Sequence, residues 1–276
     1  MTNSASGNAD DAMISIRSVS MSFGDRRVLD RVDLDVYRGE ILVLLGGSGS
    51  GKTTLLKNVL GLAKPETGSI MIHGVDITRC SRSELGAVRR RIGVAFQAAA
   101  LFNSLSVEEN VALPLRELTR LADSTIKLIV RLKLLAVGLS DAGSLYPPEL
   151  SGGMRKRAAV ARAMALDPEI LIFDEPSAGL DPIVSAELDE LILFLKRSFG
   201  ITILVVTHEL ESAFHIADRV AMLYRGRLIA VDRKEQFAGS THSRIRQFLD
   251  RQPDARPRVA AEEFIAAYLR GSRHDN

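Results

Sequence analysis

Tryptophan is absent from this chain of 276 residues, and cysteine occurs once, as Cys80. A single cysteine excludes an intramolecular disulfide and fits a reducing cytosol. An excess of one charge is also lacking, because 36 basic residues stand against 34 acidic ones. A protein that binds nucleic acid is expected to carry a strongly basic stripe. The near balance of charge therefore argues against nucleic acid as a partner.

Long hydrophobic runs are missing as well. No apolar stretch approaches the roughly 20 residues that a membrane-spanning helix needs, and the longest runs, "ILVLLG" and "ITILVV", have the length of strands. The first residues, "MTNSASGNADDA", contain neither a basic nor an apolar segment. We therefore expect a disordered leader over 1–12 rather than a signal peptide. Any role at a membrane would then come through a partner.

Four short runs are apolar throughout, which is typical of strands that are covered on both faces of a parallel sheet. They occupy residues 41–45, 92–96, 170–173 and 201–206. Because helical patterns separate most of them, the body is predicted to be a parallel sheet flanked by helices.

Other segments alternate apolar and polar residues, as half-exposed strands do. One precedes residue 41, another is predicted to turn at His73-Gly74, and "RVAMLYRGRLIAVD" is predicted to be a hairpin. A helical pattern follows between residues 103 and 149, where Ser106 and Glu109 have the spacing of a capping box. The sequence thus predicts a smaller antiparallel layer and a helical insert beside the parallel core.

The segment "GGSGSGKTT" at 46–54 follows the first apolar run and precedes a helical pattern. It matches G-x-x-x-x-G-K-[ST] in the strand–loop–helix context of a phosphate-binding loop. Its glycines allow backbone N–H groups to turn toward phosphate oxygens, and the helix N-terminus adds partial positive charge. Lys52 would reach the β and γ phosphates, and the Thr53 hydroxyl would ligate Mg²⁺. The alternative is a glycine-rich turn with a capping threonine.

Polar residues also end three other predicted strands. Asp174 and Glu175 end "EILIFDE", His208 follows "ITILVVT", and Gln97 follows "RIGVAF". In isolation the acid pair is a solvated strand end and His208 a surface histidine. Beside a phosphate loop, we expect Asp174 to hold Mg²⁺ through water and Glu175 to take a proton from an attacking water. His208 and Gln97 would face the same crevice, Gln97 as a ligand of metal and water.

The segment "LSGGM" at 150–154 precedes another helical pattern. Ser151, Gly152 and Gly153 therefore predict a second anion-binding helix N-terminus. A serine N-cap with flexible neighbours is the alternative.

Taken in order, these motifs resemble those of the ATP-binding subunits of ABC transporters, over residues 14–235. "LSGGM" is similar to the family signature, and "SAGLD", with Asp181, is similar to its D-loop. Gln97 and His208 match its glutamine loop and switch histidine, and Phe23 matches the aromatic residue that stacks on adenine. The resemblance implies an α/β, P-loop NTPase fold with a RecA-like, mostly parallel sheet, flanking helices, an antiparallel β layer and an inserted helical subdomain.

We expect three regions along the chain: the leader 1–12, an ATPase domain 13–250 and a C-terminal extension 251–276. The helical insert would occupy about 98–165. The extension is expected to contain a short amphipathic helix with an apolar stripe at 264–269, which would pack on a neighbouring ATPase.

Subunits of this family form head-to-tail dimers in which each ATP lies between the phosphate loop of one chain and the signature of the other. The resemblance implies that Lys52, Glu175 and His208 are catalytic. The implied nucleotide-binding residues are Phe23, Gly46, Gly47, Ser48, Gly49, Ser50, Gly51, Lys52, Thr53, Thr54, Gln97 and Asp174. Thr53, Gln97 and Asp174 would also bind Mg²⁺. The residues implied to serve the partner's nucleotide are Ser151, Gly152, Gly153 and Asp181.

Met154 stands where the family commonly has glutamine. Together with "FQAAALFNSLSVEENVALPLRE" and "RIRQFLD", it resembles the ATPases of Mce-type lipid transporters, of which the Mla phospholipid system is one. This implies an ATPase at the cytoplasmic face of the bacterial inner membrane that powers phospholipid movement between the inner and outer membranes. The implied partners are a second copy, an inner-membrane permease, a periplasmic Mce-domain lipid-binding protein and a small accessory subunit. Two alternatives stay open: the ATPase of a small-solute importer, and a soluble ATPase of this fold outside transport.

Overall fold

The computed structural model describes residues 11–253. The chain divides into two compact units between Phe237 and Ala238. Most of the expected leader and the whole stripe at 264–269 lie outside the described residues. The domain bounds expected from the sequence therefore stay predictions.

Strands and helices alternate through most of the described residues. The strands are β1 (Ala12–Phe23), β2 (Arg26–Tyr37), β3 (Ile41–Leu45), β4 (Thr67–Ile72), β5 (Val75–Asp76), β6 (Ile92–Ala95), β7 (Ile170–Asp174), β8 (Thr202–Thr207), β9 (Arg219–Tyr224) and β10 (Arg227–Arg233). The helices are α1 (Lys52–Val59), α2 (Arg82–Arg90), α3 (Val107–Leu118), α4 (Asp123–Ala136), α5 (Gly152–Ala163), α6 (Pro182–Phe199), α7 (Leu210–Ile216), α8 (Lys234–Ala238) and α9 (Ser243–Leu249). Along residues 11–253, none of the helices combines the length and the apolar character needed to cross a bilayer.

The larger sheet has six strands in the order β10-β9-β3-β8-β7-β6. All pairs in it are parallel except the β9–β10 hairpin. Every residue of β3 and β8 is buried, as expected for central strands with both faces covered. The predicted parallel sheet is confirmed. The run at 92–96 is an exception to the expected burial, because Ile92 and Val94 are only half-buried and Phe96, beyond the end of β6, is 37% exposed.

The smaller sheet is antiparallel, with the order β2-β1-β4-β5. Its β4–β5 connection turns at His73-Gly74, as predicted, and both residues have positive φ, 49° and 77°. Two successive left-handed residues are characteristic of the tight turns whose twist matches that of the flanking strands. The β9–β10 hairpin turns in the same way at Arg225-Gly226, with φ values of 47° and 79°.

The main hydrophobic core lies between the two sheets. It contains apolar side chains from β1, β2 and β4 on one side and from β3, β7, β8 and β9 on the other. Leu55, Leu56 and Val59 of α1 belong to the same core. Each such side chain contributes roughly 1.5–3 kcal/mol when it is fully buried. Burial thus fixes α1 against the sheet, and with it the loop that precedes α1.

The helical segment begins with the capping box predicted for α3. The Ser106 hydroxyl accepts from the Glu109 N–H at 3.2 Å, and the Glu109 carboxylate accepts from the Ser106 N–H at 2.8 Å. Farther on, the end of α5 approaches β6 at Gly93. A Cβ added there would overlap the Ala163 carbonyl oxygen and lie 2.8 Å from Leu171 Cδ1. Glycine at this position therefore lets α5 lie directly on the sheet.

This close approach predicts that Gly93→Ala lowers the free energy of unfolding by about 1–3 kcal/mol, the usual cost of overpacking. Gly86→Ala is the matched control, because Gly86 lies inside α2 and nothing is within 4 Å of an added Cβ. That change should instead raise the free energy of unfolding by about 0.5–1 kcal/mol. Urea denaturation of both variants measures the difference. Equal stabilities would contradict the close packing of α5 on β6.

Candidate active site

A cavity of about 480 Å³ opens where β3, β7 and β8 end at the same edge of the larger sheet. Open α/β sheets bind ligands outside the carboxyl ends of their strands. The lining residues are Phe23, Arg26, Val28, Gly47, Ser48, Gly49, Ser50, Gly51, Lys52, Thr53, Thr54, Gln97, Asp174, Glu175 and His208. The structure therefore brings the predicted phosphate loop, acid pair, glutamine and histidine together in one place.

Gly46 is the one predicted nucleotide-binding residue that does not line the cavity. Its carbonyl oxygen accepts a hydrogen bond from the Lys52 ammonium at 2.6 Å. Gly46 therefore helps to hold the conformation of the loop without lining the cavity. The sequence analysis missed Arg26 and Val28, which also line the cavity. They lie at alternate positions just after Phe23, across the β1–β2 turn, and this spacing is the signal that could have identified them.

The loop between β3 and α1 leaves backbone donors free of side-chain caps. Gly51 is the N-cap of α1, with φ of 110° and no side-chain capping hydrogen bond. A Cβ at this position would lie 2.8 Å from the Val28 carbonyl oxygen, so glycine is required for the turn and for its packing. The first N–H groups of a helix lack partners within the helix. Together with the helix dipole they form a site for phosphate oxygens.

Lys52, the first residue of α1, folds its side chain back over this loop. The side chain donates to the carbonyl oxygens of Gly46 and Gly47 at 2.6 and 3.3 Å. Its ammonium also lies 3.9 Å from Oε1 of Glu175. Burial, to 8% exposure, lowers the pKa of Lys52, although Glu175 and Asp174 oppose the change. The site thus holds a desolvated positive charge that an anionic ligand would stabilise.

Glu175 is held in an uncommon backbone conformation directly after β7. Its φ of 48° lies in the left-handed region, which costs a residue with a side chain roughly 1–3 kcal/mol. Its N–H donates to the Val206 carbonyl oxygen at 2.8 Å. Its Oε2 accepts from the Thr207 hydroxyl at 3.1 Å and lies 2.8 Å from Nδ1 of His208. Neighbouring groups at the end of β8 and directly after it therefore fix the direction of this carboxylate.

Thr207 is a third residue that the sequence analysis missed. It is the last residue of β8 and is fully buried. A threonine at the end of an apolar strand carries no signal of its own, because only the adjacent strand shows which carboxylate its hydroxyl contacts.

Asp174 is half-buried at the end of β7. Burial raises the pKa of its carboxyl and the adjacent Glu175 raises it further, whereas Lys52, Lys156 and Lys57 lower it. Two neighbouring carboxyls in a partly desolvated site repel each other when both are ionised. A cation placed between them and a ligand would relieve this repulsion.

The four residues implied to serve a partner's nucleotide do not line the cavity. Ser151 is the N-cap of α5, and its hydroxyl accepts from the Met154 N–H at 3.2 Å. Asp181 caps α6 and accepts from the N–H groups of residues 183 and 184. A Cβ added at Gly153 would lie 2.5 Å from Cγ1 of Val184, so the two helix N-termini pack together. The N-cap interpretation of Ser151 is therefore confirmed for the single chain.

Known proteins with similar sequences are ATP-binding proteins of transport systems. Residues 29–178 match the family model described as "ABC transporter". The intermembrane phospholipid transport system ATP-binding protein MlaF of Haemophilus influenzae is 42% identical over 255 residues, which cover 92% of this chain and 97% of that protein. MlaF of Escherichia coli is 41% identical over 262 residues, with 94% and 97% covered. The probable ribonucleotide transport ATP-binding protein mkl of Mycobacterium leprae is 45% identical over 237 residues, with 86% and 68% covered.

Solved structures show the same fold. A dimeric, post-hydrolysis state of the ATP-binding cassette MJ0796, bound to ADP and Pi, has a TM-score of 0.74 and 30% identity. The match covers 80% of this chain and 99% of the MJ0796 chain. The structure of cbiO1 from Clostridium perfringens, part of the ABC transporter complex cbiONQ, has a TM-score of 0.78 and 28% identity. The match covers 92% of this chain and 99% of the cbiO1 chain.

A phosphate loop between β3 and α1, with an acid pair at the end of β7, which is separated from β3 by β8, defines a P-loop ATPase. The expected fold class is confirmed. The chain belongs to the ABC transporter family, and it is an ATP-binding, ATP-hydrolysing subunit of that family.

The raised pKa of Asp174 predicts that ionisation of this carboxyl weakens the nucleotide-free fold. Because the pKa is higher in the folded state than in the unfolded state, the loss of unfolding free energy caused by ionisation is largest at neutral pH. It disappears below the ordinary carboxyl pKa of about 3.9, where both states are protonated. Asp174→Asn should therefore raise the thermal unfolding midpoint at pH 7, and the gain should shrink as the pH falls toward 4. Asp141→Asn, at an exposed position, should change stability by no more than about 0.5 kcal/mol. A gain that does not vary with pH would contradict the prediction.

Proposed function

We propose that this chain powers the movement of phospholipid between the inner and outer membranes of a bacterium, as the ATPase of an inner-membrane transporter. The observation that carries the proposal is the similarity to MlaF, at 41–42% identity over 97% of that protein. The chain would act at the cytoplasmic face of the inner membrane. Its partners would be a second copy of itself, a permease, a periplasmic Mce-domain lipid-binding protein and a small accessory subunit.

The cavity offers binding groups for the phosphates and for the adenine of ATP. The backbone N–H groups of residues 47–54 would bind the phosphate oxygens, with Lys52 at the β and γ phosphates. Phe23, which is 58% exposed and lines the cavity, would stack on adenine. Binding of the phosphates would replace the hydrogen bonds that Lys52 now donates to the loop carbonyls.

Three oxygen-bearing side chains of the same cavity fit Mg²⁺. Thr53 offers a hydroxyl, Gln97 an amide oxygen and Asp174 a carboxylate, and these are the hard ligands that Mg²⁺ prefers. Among the described residues, no group of three or more His, Cys, Asp or Glu side chains could hold a metal ion. Thr53, Gln97 and Asp174 together contain one carboxylate. This is consistent with Mg²⁺, which is usually bound by one or two carboxylates together with substrate phosphates and water. The ion would neutralise charge on the phosphate oxygens.

Glu175 is the proposed general base. Its carboxylate lines the cavity and is aimed by Thr207 and His208, so it can accept a proton from a water placed beside the γ phosphate. His208 would orient the carboxylate in the nucleotide-free chain and turn to the phosphate when ATP is bound. Lys52 would stabilise the negative charge on the phosphate oxygens in the transition state.

A complete site would need two chains. A patch at the N-termini of α5 and α6 contains the exposed Ser151 and Asp181 and the half-buried Gly152 and Gly153, none of which lines the cavity. In a head-to-tail dimer each patch would cover the nucleotide of the other chain, and two-fold symmetry would repeat the contact. Ser151 would then exchange its capping contact for the phosphate of the partner's nucleotide.

The base assignment predicts that Glu175→Gln lowers ATP turnover about 10²- to 10³-fold, the usual loss when one catalytic group is removed. ATP binding should persist, because Lys52 and the loop remain. Lys52→Ala should instead lose ATP binding. Phosphate release and equilibrium binding of a labelled nucleotide separate the two effects. Wild-type turnover by Glu175→Gln would rule out Glu175 as the base.

The Glu175→Gln variant also tests which molecule is transported, when the chain is reconstituted with its permease. ATP-dependent transfer of fluorescent phospholipid between vesicles should occur with the wild type and stop with Glu175→Gln. The similarity to mkl, described as a probable ribonucleotide transport ATP-binding protein, favours a small-solute importer as the second candidate. Uptake of labelled ribonucleotide without lipid transfer would support that candidate.

The shared site predicts complementation between two inactive variants. Lys52→Ala damages the phosphate loop and Ser151→Ala the patch, so each variant alone should hydrolyse ATP slowly. In a mixed dimer, the loop of the Ser151→Ala chain meets the patch of the Lys52→Ala chain, which restores one intact site. Turnover of the mixture should exceed that of either variant several-fold. No recovery, with mixed dimers shown by two affinity tags, would contradict the shared site.

A further inference from the structure

Lys156 joins two parts of the active site through their backbones. It lies in the second turn of α5, and its ammonium donates to the Gln97 carbonyl oxygen at 2.6 Å and to the Glu175 carbonyl oxygen at 3.2 Å. The first acceptor follows β6 and the second follows β7. One side chain of the helical segment is therefore bound to two neighbouring strand ends.

The contact matters most at Glu175, because this residue has a left-handed backbone. Its N–H is held by the Val206 carbonyl oxygen, and its own carbonyl oxygen accepts from Lys156 and, at 3.3 Å, from the Ala178 N–H. A conformation that a residue rarely adopts persists only where its surroundings hold it. Lys156 supplies the charged donor among these contacts, and charge-assisted hydrogen bonds are the stronger kind.

Acidic side chains surround the Lys156 ammonium. Burial lowers the pKa of Lys156, while the carboxylates of Asp174, Glu175 and Glu209 raise it. Three acidic groups thus face this half-buried ammonium.

A second cation of α5 binds the loop that starts at Gln97. Arg162 donates to the carbonyl oxygens of Ala100 at 2.7 Å and Ala99 at 3.1 Å, and both alanines have positive φ. Arg162 thus fixes the loop, whereas Lys156 contacts both the loop and Glu175. The Arg162 contact therefore shapes the loop alone, and the Lys156 contact also orients the proposed base.

We propose that Lys156 is a positioning residue for ATP hydrolysis. Its ammonium binds the carbonyl oxygens of Glu175 and Gln97 and thereby sets the directions of these two residues. The proposal rests on the role of Glu175 as the base. Lys156 itself touches neither nucleotide nor water in this role. Its loss should therefore slow the chemical step and leave nucleotide binding almost unchanged.

Lys156→Met keeps the length of the side chain but removes the donors and the charge. It should lower kcat roughly 10- to 100-fold, the scale expected when a catalytic group is misplaced by about 1 Å, while KM for ATP stays within about threefold. Lys156→Arg keeps a charged donor and should recover most of the loss. Lys127→Met, at an exposed position of α4, is the matched control and should retain wild-type turnover. A loss of kcat in Lys156→Met that arginine does not rescue, or a rise in KM without a fall in kcat, would overturn the proposal.

A double variant tests whether Lys156 acts through Glu175. When the base is already absent in Glu175→Gln, adding Lys156→Met should lower the residual turnover by less than about threefold, because effects on a shared step are not additive. Two full, multiplied losses would overturn the proposal. Wild-type turnover by Glu175→Gln would remove the base assignment and the positioning role together. An inactive Glu175→Gln beside a fully active Lys156→Met would remove the positioning role alone.

Discussion

The parallel register of three buried strands determines where the phosphate loop, the acid pair and His208 lie. Leu45, at the end of β3, pairs with Thr207 of β8, and Asp174, at the end of β7, pairs with Val206 of β8. The three strands therefore end at the same level, so that the phosphate loop, the acid pair and His208 meet without any long connection. Apolar side chains on both faces hold the strands in this register. The site thus depends on the core more than on the loops that form it.

Assembling the site costs the nucleotide-free chain stability in ways that binding would relieve. Lys52 is buried against carbonyl oxygens, Asp174 stands beside a second carboxyl, and Glu175 has a strained backbone. Each feature is unfavourable for the fold, and each lies in the cavity where ATP, Mg²⁺ or the attacking water would bind under the proposed function. Local strain and unbalanced charge are expected to collect at functional sites, where ligands stabilise what the fold does not.

The sequence predicted those features that a side-chain type or a spacing specifies. The apolar runs identified the parallel strands, the loop glycines with Lys52 identified the phosphate site, and turn residues such as His73-Gly74 identified the hairpins. It could not predict contacts to backbone atoms of distant elements. Lys156 is an ordinary helical lysine until the fold brings two carbonyl oxygens to its ammonium. Phe96 was predicted wrongly as buried for a related reason, because an apolar run does not show where its strand ends.

Helix α5 connects the two halves of the proposed mechanism. Ser151, at its N-cap, would contact the nucleotide of the partner, and Lys156, five residues later, contacts the carbonyl of the proposed base. At a rise of 1.5 Å per residue, about 7.5 Å of helix separates the two positions. A helix this short moves as one rigid body, so a displacement of the patch by the partner's nucleotide would also displace the Glu175 carbonyl. Because coupling between two binding events is reciprocal, the state of each site would then influence the other, and α5 would be the element that transmits this influence.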